Sequence, residues 1–225
     1  MSKLTLLWSP RSPYARKALM ALDLLGLLPQ VDLRLTRVAL PMPPDPALLA
    51  ENPLGKIPVL VVPGLGPLFD SRLIVSWLDR QTPGVLFPAD PAAHLETERL
   101  ETLADGVTDV LLLWRTEESR GDRKNPQIAA GFETKVRTGM PVLEAIAPTL
   151  DPSSLNVGQI ALRCCLDQLD FRYAACNWRA AFPALAAWHA AVGAHRVIAA
   201  HPIPTDLPDH NTGVAVMPLS FTETN

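Results

Sequence analysis

The chain has 225 residues, which at about 150 residues per domain allows one large domain or two small ones. Its hydrophobic share of 48% and charged share of 19% are those of a folded protein and exclude disorder as the main state. The net charge of −3 argues against a nucleic-acid partner, which needs a basic face. Residues 1–80 carry a balance of +3 and residues 81–225 a balance of −6, a first indication of two units.

Targeting and metal-binding signals are missing from the sequence. No stretch approaches the roughly 18 consecutive apolar residues of a membrane span, and Leu4–Trp8 is too short for the core of a signal peptide. The cysteines, Cys164, Cys165 and Cys176, show no C-x-x-C spacing, and their odd number fits no secreted disulfide framework. The histidines form no metal-binding motif. We therefore expect a soluble cytoplasmic protein without a metal, a nucleic-acid partner or a membrane contact.

The first residues alternate between strand and helix patterns. Leu4–Trp8 is a short apolar run typical of a buried strand. Ser12-Pro13 then opens an apolar-periodic helix that runs to about Leu25, because Ser is a preferred N-cap and Pro a preferred first helical residue. Val31–Leu35 alternates apolar and polar residues, which predicts a second strand.

A hairpin and a helix complete the N-terminal part. After a loop around 41–46, Val59–Val62 and Leu68-Phe69 flank a turn rich in proline and glycine, which predicts two paired strands. The next helix is predicted to start at Ser71 as its N-cap. The order of elements is therefore β-α-β-loop-β-β-α.

The rest of the chain has no convincing strand pattern. Apolar residues recur at helical spacing in four stretches, at about 92–118, 126–147, 157–171 and 183–192. Asn156 and Gln159 have the spacing of a capping box, in which Gln159 reaches back to the cap amide. We predict an α/β domain at 1–80, a linker at 81–91, an all-helical domain at 92–200 and a wandering tail at 201–225.

The turn into the first helix carries two hydroxyl groups, those of Ser9 and Ser12. A helix N-terminus offers free N–H groups and a partial positive charge, so it attracts an anion to which a nearby hydroxyl can donate. The simpler interpretation is that Ser12 only caps the helix and Ser9 only lies in a turn. From this pattern alone both interpretations remain open.

Two further features are typical of ligand binding. If the Ile57-Pro58 bond is cis, the Ile57 backbone can turn outward and pair with an extended peptide, whereas a trans proline would simply begin an edge strand. The Asp70-Ser71 pair stands at a helix start, where Ser71 can hold a carboxylate and Asp70 an ammonium group. The alternative for this pair is an ordinary N-cap preceded by an acid.

Taken together, these features resemble the glutathione S-transferases. The order of elements matches their thioredoxin-like N-terminal domain, and the helical remainder matches their C-terminal domain. The matching motifs are S-P-Y-A at 12–15, N-P-L-G-K-I-P-V-L at 52–60, D-S at 70–71, N-V-G-Q-I-A at 156–161, L-D-F-R at 169–172 and P-A-L-A-A-W-H at 183–189. The resemblance covers about residues 3–200.

The resemblance implies glutathione as co-substrate and a role for each matched residue. Ser12 would stabilise the glutathione thiolate, with Ser9 as its nearest rival. The glutathione-binding residues would be Ile57 by its backbone, cis-Pro58 beside it, Asp70 and Ser71 at the γ-glutamyl group and Lys56 near the glycyl carboxylate. Family members that form mixed disulfides carry Cys where this chain has Ser12, so thiol-transferase chemistry is disfavoured.

The expected reaction is the transfer of the glutathione thiolate to a hydrophobic electrophile. The candidate pocket residues for this second substrate are Trp8, Pro10, Arg11, Trp114 and Arg115, against the simpler interpretation that the tryptophans are core and the arginines are solvated. The alternatives are a non-catalytic glutathione-binding or interaction protein on the same fold, and a glutathione-dependent isomerase or dehalogenase. The resemblance also implies a homodimer.

Overall fold

The computed structural model describes residues 3–40, 42–203 and 217–222. Its sheet has four strands in the order β2-β1-β3-β4: β1 Leu4–Trp8, β2 Val31–Leu35, β3 Val59–Val62 and β4 Gly66–Leu68. Strand β1 runs parallel to β2 and antiparallel to β3, and β3 runs antiparallel to β4. The predicted α/β arrangement followed by a helical region is confirmed.

Nine α-helices lie in the described part of the chain. They are α1 Pro13–Leu24, α2 Pro46–Glu51, α3 Ser71–Arg80, α4 Pro91–Glu118, α5 Pro126–Ile146, α6 Val157–Arg172, α7 Trp178–Ala181, α8 Pro183–Val192 and α9 Arg196–Ala200. Helix α2 forms where the sequence predicted only loop, because Asp45 caps it and Pro46 supplies a preferred first residue. None of the described helices is both long and apolar enough to cross a membrane.

Two capping predictions were wrong in detail. Asp70, rather than Ser71, is the N-cap of α3, since its Oδ1 accepts a hydrogen bond from the Arg72 amide at 2.9 Å. Asn156 does cap α6, accepting from the Gln159 amide at 3.0 Å. The Gln159 side chain does not close the box, however, because its Nε2 donates to the Ser154 carbonyl at 2.8 Å.

Helix α1 joins the two parts of the chain. It packs against α3 on the sheet side and against α6 in the helical region, so it is buried on both sides. Two of its buried residues are cationic. Lys17 Nζ lies 2.8 Å from Glu101 Oε1 and 2.6 Å from Asp105 Oδ2, both on α4. Arg16 bonds to Asp167 of α6 at 2.7 Å. These ion pairs link α1 to α4 and α6.

Asp167 is the centre of the second ion-pair cluster. Arg163 and His189 contact its Oδ1 at 2.7 Å and 2.9 Å, in addition to Arg16 on Oδ2. Burial alone would raise the pKa of Asp167, but the hydrogen bond from His189 and the charges of the arginines outweigh it and lower the pKa to about 2. Asp167, Asp170 and His189 could also share a metal ion, but both carboxylates already bond to arginines.

The last described segment packs against the helical region. Residues 204–216, most of the predicted wandering tail, lie outside the described residues. Beyond them, Met217 and Leu219 are buried, the Phe221 amide donates to the Cys176 carbonyl at 2.9 Å, and Arg137 donates to the Ser220 carbonyl at 2.7 Å. For 217–222 the prediction of a wandering tail was therefore wrong, because the apolar residues of so short a segment show no period.

Replacing Gly55 by Ala is expected to lower the free energy of unfolding by about 2–3 kcal/mol. Gly55 has a φ of +62°, and an added Cβ would lie 2.2 Å from Pro44 Cγ, so backbone strain and steric overlap act together. Gly64 is a matched control, with a φ of +79° and nothing within 4 Å of an added Cβ. Gly64→Ala should cost only about 1 kcal/mol in urea denaturation. Equal losses for the two variants would contradict a contribution from the overlap with Pro44.

Candidate functional site

The strand register brings the three predicted features to one edge of the sheet. Strands β1 and β2 end together, with Trp8 opposite Leu35. Because β3 is antiparallel to β1 it begins at this edge, and β4 returns there, with Leu60 opposite Leu68. The serine turn after β1 (residues 9–12), the proline loop before β3 (residues 52–58) and the acid–serine pair after β4 (residues 70–71) therefore lie side by side.

Ser12 is the N-cap of α1. Its Oγ accepts a hydrogen bond from the Ala15 amide at 3.2 Å. A hydroxyl accepts through its lone pairs and donates through its one hydrogen, so this cap leaves the O–H free to donate. The same holds for Ser9, whose Oγ accepts from the Arg11 amide at 3.4 Å. Capping and anion binding are thus compatible roles, and both serines keep a hydrogen to donate.

The proline loop is held by Asn52. Its Nδ2 donates to the Lys56 carbonyl at 2.9 Å and its Oδ1 accepts from the Leu54 amide at 3.0 Å. No role was predicted for this buried side chain from the sequence. The Ile57–Pro58 peptide bond is cis. Ile57 is half-buried and Lys56 is exposed, so both are within reach of a ligand at this edge.

The acid–serine pair begins α3. Asp70 is exposed, and Ser71 is buried beneath it. The Phe69–Asp70 peptide bond is also cis. Asp70, Ser71 and Pro58 lie along the sheet edge. They do not line the cleft between this edge and the helical region.

A cleft of about 700 Å³ opens between the sheet edge and the helical region. From the N-terminal part it is lined by Ser9, Pro10, Arg11, Ser12, Pro13, Tyr14, Lys56, Ile57 and residues that follow β2. From the helical region it is lined by Asp109, Leu112, Leu113, Arg115, Thr116, Ser119, Gln168 and Arg172. Both predicted serines therefore face a space that is large enough for a small molecule.

Both tryptophans of the predicted second pocket lie away from this cleft. Trp114 is only 1% exposed, and its Nε1 donates to Glu118 at 3.1 Å. Its neighbour Arg115 does line the cleft, because successive residues of a helix point about 100° apart. Trp8 packs against the core and is not among the lining residues. The prediction of their position was wrong for these two residues, whereas Pro10 and Arg11 do line the cleft.

Tyr14 makes a contact with α4 that was not predicted from the sequence. Its hydroxyl donates to Asp109 of α4 and lies 3.5 Å from the Asp105 carbonyl. Burial, together with the hydrogen bond to Asp109, raises the pKa of the Tyr14 phenol. The phenol therefore stays protonated and directed at Asp109, which leaves the serines as the hydroxyls of this turn that can donate to an anion.

Gln168 and Arg172 were also missed as site residues. They are four residues apart on α6, and this spacing places both on one face of the helix, toward the cleft. The signal was present in part, since Arg172 ends the L-D-F-R motif, but nothing in the sequence showed which face of α6 would meet the cleft.

The cysteines lie inside the helical region. Cys164 and Cys165 are buried, and burial raises the pKa of their thiols to about 11 and about 12. Neither thiol is ionised at neutral pH, so both cysteines act as small buried hydrophobic residues.

The sequence matches two family models and a known protein. The family model for the glutathione S-transferase N-terminal domain matches residues 11–81, and that for the C-terminal domain matches residues 126–191. The uncharacterized GST-like protein YibF of Escherichia coli (strain K12) is 31% identical over 144 residues, 62% of this chain and 71% of that protein.

Solved structures agree with these matches. A glutathione transferase family member from Pseudomonas fluorescens Pf-5 with bound glutathione is 36% identical with a TM-score of 0.84, covering 90% of this chain and 100% of that one. A structure with bound S-(propanoic acid)-glutathione from the same source is 34% identical with a TM-score of 0.79 and the same coverage. The two family models together span more than half of the sequence, and the chain belongs to the glutathione S-transferase family.

Proposed function

We propose that this protein is a glutathione transferase, which binds glutathione along the sheet edge and stabilises its thiolate for attack on an electrophile in the cleft. The observation that carries the proposal is Ser12, a helix N-cap whose oxygen accepts from Ala15 and whose hydrogen remains available, beside a cleft of about 700 Å³. Ser9 is the rival for the same role.

The other matched residues follow the line of an extended tripeptide. The Ile57 backbone, beside cis-Pro58, would pair with the cysteinyl unit. Asp70 would accept the γ-glutamyl ammonium, and Ser71 with the N-terminus of α3 would hold its carboxylate. Lys56 is exposed at the edge of the cleft, where it would meet the glycyl carboxylate.

The energetics of thiolate formation are within reach of these groups. A free thiol has a pKa of roughly 8.5, and lowering it by about two units takes roughly 2.7 kcal/mol of preferential binding to the thiolate. A charge-assisted hydrogen bond supplies ~1.5–3 kcal/mol and a helix N-terminus ~0.3–1 kcal/mol. The thiol proton passes to solvent. The thiolate then forms the C–S bond, and the leaving group departs with the electron pair of the bond that breaks.

The related Pseudomonas structure with S-(propanoic acid)-glutathione suggests a product to test. In that molecule the glutathione sulfur carries a short acidic substituent. For this chain, such a conjugate represents what remains after an acidic electrophile has reacted.

Calorimetry with glutathione, combined with a screen of electrophiles for conjugate formation, tests the proposed function. Binding accompanied by accumulation of a glutathione conjugate is the expected result. Binding without any turnover would favour the non-catalytic alternative. Turnover in which no conjugate accumulates would favour the isomerase or dehalogenase, since these use glutathione as a transient nucleophile. If glutathione does not bind, the transferase and both alternatives are contradicted.

We also propose that the protein is a homodimer. Helices α3, α4 and α5 border a broad groove in which Leu73, Leu95 and Val142 are each about half exposed. Apolar residues grouped on one face are typical of an interface. The opposite net charges of residues 1–80 and 81–225 agree with pairing of one part against the partner's other part. Light scattering should give twice the mass of one chain, and the mass of a single chain would contradict the proposal.

A further inference from the structure

Among the described residues that line the helical side of the cleft, both hydroxyl groups donate to backbone carbonyls of α4. Thr116 Oγ1 donates to the Leu112 carbonyl at 2.9 Å, and Ser119 Oγ donates to the Thr116 carbonyl at 2.7 Å. A hydroxyl has one hydrogen and two lone pairs, so these two side chains still offer acceptor capacity to the cleft. They differ in this from Ser9 and Ser12 on the opposite side, whose hydrogens remain available.

Gln168 adds an acceptor that is not satisfied within the described part of the protein. It lines the cleft from α6, is only 2% exposed, and its Oε1 accepts no hydrogen bond from the described residues. A buried amide oxygen without a partner is unfavourable, because it has lost its contact with water and gained none in return. A ligand that donates a hydrogen bond to Oε1 would remove this cost.

The charged groups on the same side of the cleft are already engaged within the protein. Asp109 Oδ1 accepts from Tyr14, although a carboxylate can accept further hydrogen bonds. Arg115 and Arg172 interact with other groups of the protein, and the Arg172 guanidinium carbon lies 4.0 Å from the centroid of the Phe171 ring. The buried amide oxygen therefore remains the clearest group for a ligand to satisfy.

The mouth of the cleft is apolar. Four of its lining side chains are between 48% and 63% exposed, namely Leu35, Leu40, Met42 and Leu113. Gln168, by contrast, is almost fully buried and lies at the floor. Contact with an apolar ligand would remove the four exposed side chains from water, which is favourable. The cleft therefore suits a molecule that is apolar at the mouth and carries a donor at the end that reaches the floor.

We infer that the electrophile of this cleft carries a hydroxyl or N–H donor at one end of an apolar body, and that Gln168 Oε1 accepts a hydrogen bond from this donor. The inference rests on the proposed function and names its substrate class. Gln168 would select such molecules, because an analogue without the donor leaves the amide oxygen buried and unpaired. Thr116 and Ser119 would accept from a second donor or from a bound water.

Binding of matched conjugates separates this inference from the proposed function. S-(4-hydroxybenzyl)glutathione and S-(4-fluorobenzyl)glutathione have nearly the same shape, but only the first carries a donor on its ring. The 3-hydroxy and 3-fluoro isomers place the same groups at a second position. Calorimetry should show the hydroxyl conjugate binding about fivefold to tenfold tighter in at least one of the two pairs, as expected for a hydrogen bond to an otherwise unpaired acceptor.

Glutathione itself is measured in the same series. Equal affinities in both pairs, with glutathione still bound, would overturn the donor class alone. A protein that does not bind glutathione would overturn the proposed function as well.

Methoxy conjugates test which end of the Gln168 amide faces the ligand. A glutamine amide presents its oxygen or, rotated by 180°, its NH2 group. S-(4-methoxybenzyl)glutathione and its 3-isomer can accept at the ring substituent but cannot donate there, so they should bind no tighter than the fluoro conjugates. A methoxy conjugate that gains as much affinity as the hydroxyl conjugate would mean that the amide donates, and it would overturn the inference.

Gln168→Met identifies the residue that recognises the donor. Methionine has nearly the same length but no amide, so this variant should lose most of the preference for the hydroxyl conjugate while its affinity for the fluoro conjugate stays within about twofold. The matched control is Gln127→Met, at an exposed position of α5 that does not line the cleft. An unchanged preference in Gln168→Met would overturn the assignment of Gln168. The comparison of conjugates in the unmodified protein decides the substrate class even where the variant fails to fold.

Discussion

Replacing Lys17 by Met should lower the free energy of unfolding by about 3–5 kcal/mol. The lysine side chain is 1% exposed, and its ammonium group lies within 2.8 Å of two carboxylates, those of Glu101 and Asp105. Removing one partner of a buried ion pair leaves an uncompensated buried charge, and that charge carries most of the cost. Arg72 would still contact Asp105 at 3.2 Å, so the larger part of the loss should come from Glu101.

Urea denaturation at a fixed protein concentration measures this loss. Lys3→Met is the matched control, because Lys3 is exposed, and it should change stability by less than about 0.5 kcal/mol. The double variant Lys17→Met with Glu101→Gln should recover part of the stability, since it removes the carboxylate charge that Lys17→Met leaves without its cationic partner. A Lys17→Met protein as stable as Lys3→Met would contradict the role of Lys17 in linking α1 to α4.

The second large effect is expected in catalysis. Ser12→Ala should lower kcat/KM with a model electrophile about 10-fold to 100-fold while glutathione still binds, because one charge-assisted hydrogen bond to the thiolate is lost. Alanine at the N-cap also costs about 1 kcal/mol of stability, whereas glycine there costs only a few tenths. Ser12→Gly therefore separates the missing hydroxyl from the missing cap, and both variants should lose the same turnover.

Ser9→Ala decides between the two serines. We expect Ser9→Ala to keep most of the turnover that Ser12→Ala loses. The reverse result, with unchanged turnover in Ser12→Ala and none in Ser9→Ala, would transfer the role to Ser9. Initial rates of conjugate formation at saturating glutathione, measured under the same conditions, compare the turnover of the two variants.

The long elements were predictable because their apolar residues repeat. The strands at Leu4–Trp8 and Val31–Leu35 and the helix Val157–Arg172 formed within a residue of the predicted limits. The short helices α2, α7 and α9 were missed, since fewer than two turns cannot show a period of 3.6 residues. The segment 217–222 was missed for the same reason, although its buried methionine and leucine fix it to the helical region.

The candidate site was predictable only where it lies on sequence-local turns. Ser9, Ser12 and the proline loop reached the sheet edge because strand order and turn position fix them there. The helical side of the cleft depends instead on how α4 and α6 pack against α1, which no local pattern specifies. Trp114 is therefore buried away from the cleft although its neighbour Arg115 lines it, and the sequence did not show that Tyr14 and Gln168 line the cleft as well.

In the proposed mechanism, the Ser12 hydroxyl and the α1 N-terminus hold glutathione as its thiolate. The direct measurement is a pH titration of the thiolate ultraviolet absorbance, with glutathione bound to the unmodified protein and to Ser12→Ala. A hydrogen bond to the charged form lowers the pKa, so the bound thiol should titrate about two units below the roughly 8.5 of a free thiol. In Ser12→Ala the pKa should rise again by about one to two units. A bound thiol that titrates like free glutathione, or a low pKa that persists in Ser12→Ala, would contradict this role of Ser12.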